Sequence, residues 1–168
     1  TGLPYSSKGL DQCYELGAKA IGWERRNRRP GEGGGNGPLR RGLGMATSIW
    51  FGAGVPGTLA DVVLYPDMSV EVVCGTQDLG TGTRTHMAVV AAETLGLEPK
   101  EITVKIGNSD YPWAPLSGGS LTAPSVAPAV RDAALKAVER LKAVAAARLK
   151  AGPADVVMGD RKFTVKGD

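Results

Sequence analysis

Glycines, hydroxyls and one amide crowd into a single stretch, Gly75-Thr-Gln-Asp-Leu-Gly-Thr-Gly82, followed at once by Thr83 and Thr85. Glycines at 75, 80 and 82 permit positive φ and let the backbone approach a ligand closely. A helix beginning near Thr83 would aim its unpaired N–H groups and the positive end of its dipole at the same place, where a phosphate or pyrophosphate would sit well. Thr81, Thr83 and Thr85 add hydroxyls, and Gln77 adds an amide that donates and accepts at once. A tight turn leading into a capped helix accounts for the same residues, so the pattern alone leaves both explanations standing.

Several other chemistries are excluded. No lysine lies between Val70 and Leu97, so the Gly-Lys-Ser/Thr ending of a Walker A loop is missing. A dinucleotide fingerprint needs a glycine where Thr85 stands, and it fails too. Cys13 and Cys74 are about 60 residues apart without C-x-x-C spacing, which builds neither a zinc site nor an iron–sulfur cluster; two buried free thiols are expected. His86 is the only histidine, which argues against a His-dependent triad and His-based metal sites. A net charge of +3 with few aromatics implies neither a nucleic-acid nor a membrane partner. No apolar run approaches the roughly 20 residues that span a bilayer.

For the glycine loop to work, a strand must feed it and a helix must follow. Val70, Val72 and Cys74 alternate with Ser69, Glu71 and Val73 as a half-buried strand does, and 83–95 turns Met87, Val90, Ala91 and Leu95 to one side before Gly96. Upstream, 8–23 reads as a helix with Leu10, Tyr14, Gly17 and Ile21 on one face and a Glu15–Lys19 pair on the other. The aperiodic stretch 24–41 carries Arg25, Arg26, Arg28, Arg29, Arg40 and Arg41 around a glycine run, and a mobile, solvated loop is favoured over an anion-binding patch. Residues 42–52, 58–65 and 69–74 alternate as three strands of a meander, with a tight turn at Pro66-Asp-Met68.

Downstream, 102–106 is a short strand, 107–119 is irregular, and 125–150 has a helical face of Val130, Ala134, Ala137, Val138, Leu141, Ala145 and Leu149. Asp132 and Lys136 pair on its exposed side, and Pro124 and Pro128 suit a first helical turn. Val156–Met158 and Phe163–Val165 flank Gly159-Asp160 as a hairpin or edge strand. The order gives an α+β fold, an antiparallel or mixed sheet with helices packed on one face, part of a larger domain. A second small-residue loop, Ser117-Gly-Gly-Ser-Leu-Thr-Ala-Pro-Ser125, precedes the long helix as the first precedes the shorter one. Convergence of the two helix starts would put two sets of N–H groups around one ligand, whereas N-capping by Ser120, Thr122 and Ser125 would satisfy the same hydroxyls.

The run Thr76-Gln-Asp-Leu-Gly-Thr-Gly-Thr-Arg-Thr85, with Ala91-Ala-Glu-Thr-Leu-Gly96, Gly118-Gly-Ser-Leu-Thr-Ala-Pro-Ser125 and Arg40-Arg-Gly-Leu-Gly-Met45, resembles the molybdenum-binding large subunit of xanthine dehydrogenases and aldehyde oxidases. The resemblance covers most of the chain in the same order. It implies a partition into an N-terminal helix segment (1–23), the Arg/Gly-rich loop (24–41) and a molybdopterin-binding α+β subdomain (42–168). It implies molybdopterin as cofactor, as the pterin monophosphate or its cytosine dinucleotide, its pterin and its phosphate or dinucleotide tail contacted by Leu79, Gly80, Thr81, Gly82, Thr85, Ser120, Thr122, Ala123, Pro124 and Ser125. Many relatives have Gln at Thr81 and a second Ser at Ala127, which bears on the hydrogen bonds to the pterin.

The implied activity is oxidation of aldehydes or N-heterocycles with water as oxygen source, together with the remainder of the large subunit and with 2Fe-2S and FAD subunits or domains. The family's G-x-G-E catalytic motif does not occur in this sequence. The chain, which starts with Thr, is therefore expected to be an internal segment, inactive by itself, with no catalytic and no metal ligand residue of its own. Unpaired cysteines fit the cytoplasm, and export of a folded, loaded complex to the periplasm fits equally. The alternatives are a stand-alone phospholigand-binding module and a structural interface piece.

Overall fold

A computed structural model describes residues 7–29, 31–33, 37–50, 52–159 and 162–167. Residues 1–50 and 51–168 form two separate compact units.

In the first unit, α1 (Leu10–Ile21) ends where Gly22 turns left-handed at φ 68° and donates its N–H to the Ala18 and Lys19 carbonyls. Leu10, Tyr14, Gly17 and Ile21 line a groove of about 370 Å³ against residues 44–48, and the Tyr14 and Thr47 hydroxyls are hydrogen-bonded. One turn of 3₁₀ helix follows at Trp23–Arg25, and the Arg26 guanidinium lies 4.6 Å from the centre of the Trp23 ring. Pro30 and 34–36 of the Arg/Gly-rich stretch lie outside the described residues.

Three expectations need correction here. The strand over 42–52 is not formed among the described residues: 42–50 and Gly52 have no regular secondary structure, Ile49 and Trp50 are exposed, and Phe51 lies outside the described residues. Alternation alone makes no strand when no neighbouring edge takes up its hydrogen bonds. Cys13 is exposed, because α1 alone has nothing to bury it. Glu15 and Lys19 form no ion pair among the described residues; an exposed pair of this kind gains too little to hold two long side chains together.

The second unit is a mixed α+β layer. β1 (Asp61–Leu64) runs antiparallel to β2 (Val70–Cys74), with Leu64 opposite Val70 and Asp61 opposite Val73. The turn between them closes through Tyr65 N–H to Ser69 O at 3.0 Å, and Asp67 accepts the Ser69 N–H and hydroxyl. β2 then runs parallel to β3 (Ile102–Ile106), Val70 opposite Ile102 and Cys74 opposite Ile106. Between them α2 (Thr83–Leu95) makes the crossover, ended by left-handed Gly96. α3 (Thr122–Leu149) follows β3, and β4 (Val156–Gly159) with β5 (Lys162–Val165) make a separate antiparallel pair. Asp160 of the expected turn lies outside the described residues.

The helices pack on one sheet face. Val70, Val72 and Cys74 of β2, Met87, Ala91 and Ala92 of α2, and Val126, Val130 and Ala134 of α3 are almost wholly buried in one cluster. Burial of each valine or methionine among them contributes roughly 1.5–3 kcal/mol, and the alanines let α2 and α3 approach closely. The opposite face carries Glu71, Val73, Thr103 and Lys105, half-buried or exposed. Lys105 Nζ meets Glu71 there at 2.7 Å, and Tyr65 donates to the same carboxylate at 2.9 Å.

α3 begins three residues earlier than its apolar pattern suggests, so Pro128 lies inside the helix rather than in its first turn. Having no N–H, Pro128 leaves the Pro124 carbonyl without its helical donor. Gly54 backs onto that carbonyl: a Cβ at this position would lie 2.8 Å from the oxygen. The next residue, Val55, donates its N–H to Ser125 Oγ at 2.9 Å. Gly54→Ala should therefore push the 52–57 segment off the start of α3 and cost about 1–3 kcal/mol, read by chemical denaturation against wild type.

Candidate functional site

Because β2 and β3 are parallel neighbours, they end at the same edge of the sheet. The segments that leave them, 75–82 and 107–121, lie side by side there, each leading into a helix. The Gly75 N–H donates to Pro112 O at 2.7 Å and the Gly107 N–H to Thr76 O at 2.9 Å, while Leu59 N–H bonds Trp113 O at 2.9 Å. The Gln77 amide adds a side-chain link, accepting the Ser117 N–H at 2.8 Å. The two loops are thus joined to each other directly.

The glycine loop already holds an anion, and it is part of the chain. The Asp78 carboxylate accepts N–H groups from Gly80 at 2.9 Å, Gly82 at 3.2 Å and Arg84 at 3.2 Å. These donors at the start of α2 are the ones a phosphate was expected to use. A side-chain carboxylate tethered within the loop meets them at no cost in association entropy, so a phosphate at this helix start would have to displace it. Sequence pattern singled out the glycines and threonines and passed over Asp78, although an acid inside a proposed anion loop was itself the signal.

Apart from the exposed Arg84 guanidinium at the second residue of α2, what the loop offers outward is uncharged. Leu79, Gly80, Thr81 and Thr85 are exposed, and Leu79 is 70% accessible. Gly80 and Gly82 hold φ of 96° and 77° with open space where a side chain would stand, so a ligand has room to lie against the backbone. In the second loop Ser120, Ala123 and Pro124 are exposed, Ser120 at a left-handed φ of 60°. Thr122 and Ser125 are buried and engaged. Thr122 donates to Ser117 Oγ at 3.1 Å; Ser125 donates to Leu121 O at 2.6 Å while accepting Val55 N–H. Their hydroxyls hold the loop; neither they nor Ser120 cap α3, which has no side-chain cap bond.

Two buried polar atoms flanking the glycine loop have no hydrogen-bond partner among the described residues, Thr76 Oγ1 and His86 Nε2. Burial holds the His86 imidazole below its usual range, opposed by a hydrogen bond to the Gly82 backbone and the nearby Asp78 charge. His86 was weighed in sequence only as a triad or metal candidate. Exposed hydroxyls and open glycine backbone leave hydrogen-bonding groups facing outward at this edge, while the N–H groups at the start of α2 are taken by Asp78. The clefts of about 640 Å³ between β1 and α3 and about 720 Å³ between α2 and α3 are lined by neither loop's exposed candidates.

Asp78 lies below the ordinary carboxylate range because the Arg84 N–H, followed by those of Gly80 and Gly82, stabilises its charged form. Its folded value is the depressed one. Its contribution to stability is thus complete above about pH 4, the unfolded value, and is lost as pH falls through the folded value. Asp78→Asn should melt below wild type at pH 7, and the gap should close on acidification below about pH 4, as followed by thermal melts across a pH series.

A family model described as a molybdopterin cofactor-binding domain matches residues 16–168. The chain is 33% identical over 156 residues to the xanthine dehydrogenase molybdenum-binding subunit of Escherichia coli O157:H7, covering 89% of this chain and 20% of that protein. It is 32% identical over 142 residues to the aldehyde oxidoreductase molybdenum-binding subunit PaoC of Escherichia coli strain K12, covering 82% and 18%. Reconstituted CO dehydrogenase from Oligotropha carboxidovorans superposes with a TM-score of 0.60 at 31% identity, over 64% of this chain and 14% of that one. Quinoline 2-oxidoreductase from Pseudomonas putida 86 does so with 0.55 at 27%, over the same shares. The chain spans about a fifth of the length of the curated relatives it matches. With a match along nearly its whole length, this protein belongs to the molybdopterin cofactor-binding domain family and is related to the molybdenum-binding subunits of xanthine dehydrogenase, aldehyde oxidoreductase and carbon monoxide dehydrogenase.

Proposed function

We propose that this chain forms one wall of the molybdopterin site in the large subunit of a xanthine dehydrogenase or aldehyde oxidase-like hydroxylase. The supporting observation is the pair of loops at one sheet edge, joined by hydrogen bonds, with exposed hydroxyls and open glycine backbone on the outer face. Leu79, Gly80, Thr81, Gly82 and Thr85 contact the cofactor from one side, and Ser120, Ala123 and Pro124 from the other. Thr122 and Ser125 act behind them by fixing the second loop. The glycines admit the ring system to the backbone, the threonine and serine hydroxyls read its polar edge, and Leu79 covers it from solvent.

When bound, the cofactor supplies the metal centre at which an aldehyde or N-heterocycle is oxidised with water as oxygen source. This chain's share is binding and orientation. The remainder of the subunit closes the pocket and carries the catalytic glutamate, and partner subunits or domains with 2Fe-2S and FAD take the electrons. The isolated segment is inactive in this reading, and the complex resides in the cytoplasm or, exported after loading, in the periplasm.

The phospholigand-module reading requires the N–H groups that Asp78 occupies. Titration of this chain with inorganic phosphate separates the two: saturable binding would favour that module. The decisive experiment compares Gly80→Val and Gly82→Val in the full-length subunit purified with its partners. Gly96→Val is the control, since φ is 68° there and the residue ends α2 far along the helix from the loop. Molybdenum and pterin per subunit should fall at least about tenfold in the loop variants while all three keep the wild-type circular dichroism. Full retention in the loop variants would move the cofactor elsewhere.

A further inference from the structure

Gln77 stands half-buried between the two loops, and its amide bonds in both directions. Oε1 accepts the Ser117 N–H at 2.8 Å across 40 residues of sequence, and Nε2 donates to the Gly75 carbonyl at 3.2 Å. On the far side, Ser117 Oγ receives the Thr122 hydroxyl at the first residue of α3. The backbone bonds between the loops, Gly75 to Pro112 and Gly107 to Thr76, lie at the strand ends. The Gln77–Ser117 bond lies beyond them, next to Ser120 in one loop and Leu79 in the other.

Resting on the molybdopterin reading above, we propose that Gln77 is a positioning residue: its amide fixes the distance between the two loops at the value the cofactor needs, without being needed for the fold. The buried cluster of strand and helix residues contains no part of this link. If it is cut, the half-exposed Ser117 N–H turns to water at small cost to stability. The second loop then drifts, and contacts that must be placed to within about 0.5 Å weaken.

Two variants isolate the acceptor. Gln77→Met keeps the length and apolar stem but offers Ser117 nothing comparable, whereas Gln77→Glu keeps an oxygen to accept the Ser117 N–H while exchanging the donor to Gly75 for a charged acceptor that must turn away from that carbonyl. In the full-length subunit purified with its partners, Gln77→Met should retain several-fold less pterin and molybdenum. Amide exchange in the peptide containing Ser117 should speed about five- to tenfold, the worth of one such hydrogen bond, with the thermal midpoint near wild type. Gln77→Glu should restore both cofactor content and Ser117 protection.

Wild-type cofactor content in Gln77→Met would overturn the proposal. So would failure of that variant to fold, because the link would then be structural, and so would equal loss in Gln77→Glu. The Gly80 and Gly82 variants separate the two ideas: cofactor lost there but kept in Gln77→Met sinks the positioning role alone, while cofactor kept in all of them sinks the molybdopterin reading itself.

Discussion

The parallel pairing of β2 with β3 is the constraint from which the rest follows. Two parallel neighbours cannot be joined by a tight turn, so the chain crosses over through α2. The crossover covers Val70, Val72 and Cys74 on one face with Met87, Ala91 and Ala92. It also brings both strand ends to one edge, so the 75–82 and 107–121 segments emerge as neighbours. The same apolar contacts that stabilise the layer therefore dictate where the loops stand, and a site built at that edge inherits the rigidity of the sheet beneath it.

Electrostatics then narrows what the edge can hold. A helix start preceded by glycines is ordinarily an anion site, but here Asp78 supplies the anion and takes three N–H groups. The loop is held in a conformation with two left-handed glycines, and its outer surface carries hydroxyls and open backbone beside the exposed Arg84 side chain. Such a surface discriminates by shape and by hydrogen-bond pattern. The Asp78 bonds also organise the loop from within the chain.

Much of the architecture was legible because it is local. The periodicity of 83–95, 102–106 and 125–150 gave helices and a strand at nearly the observed limits, and Gly96 marked a helix end correctly. What was misread depends on partners distant in sequence. The alternation of 42–50 had the period of a strand but no edge to join, and Thr122 and Ser125 looked like caps because their actual partners, Ser117, Leu121 and Val55, are set by the folded loop. Pro128 argued for a helix start near 125, yet the helix tolerates it where Gly54 leaves room beside the freed Pro124 carbonyl. The glycines and threonines of the loop stand out in the sequence; the role of Asp78 does not, because the pattern that marks the loop contains no place for an acid.

The division of labour between the two loops follows from burial. Thr83, Thr122 and Ser125 are buried and Thr81, Thr85 and Ser120 exposed, so hydroxyls of one chemical kind fall into two sets by which way the backbone turns them. The inward set is bonded within its own loop or to Val55; the outward set faces solvent. Because the outward set lies on an open edge and not in an enclosed cavity, affinity has to come from contacts on more than one side. In the function proposed above, a chain spanning about a fifth of its relatives' length would supply the rigid side of such a pocket, and these open residues would bind weakly until other parts of a subunit excluded water from them.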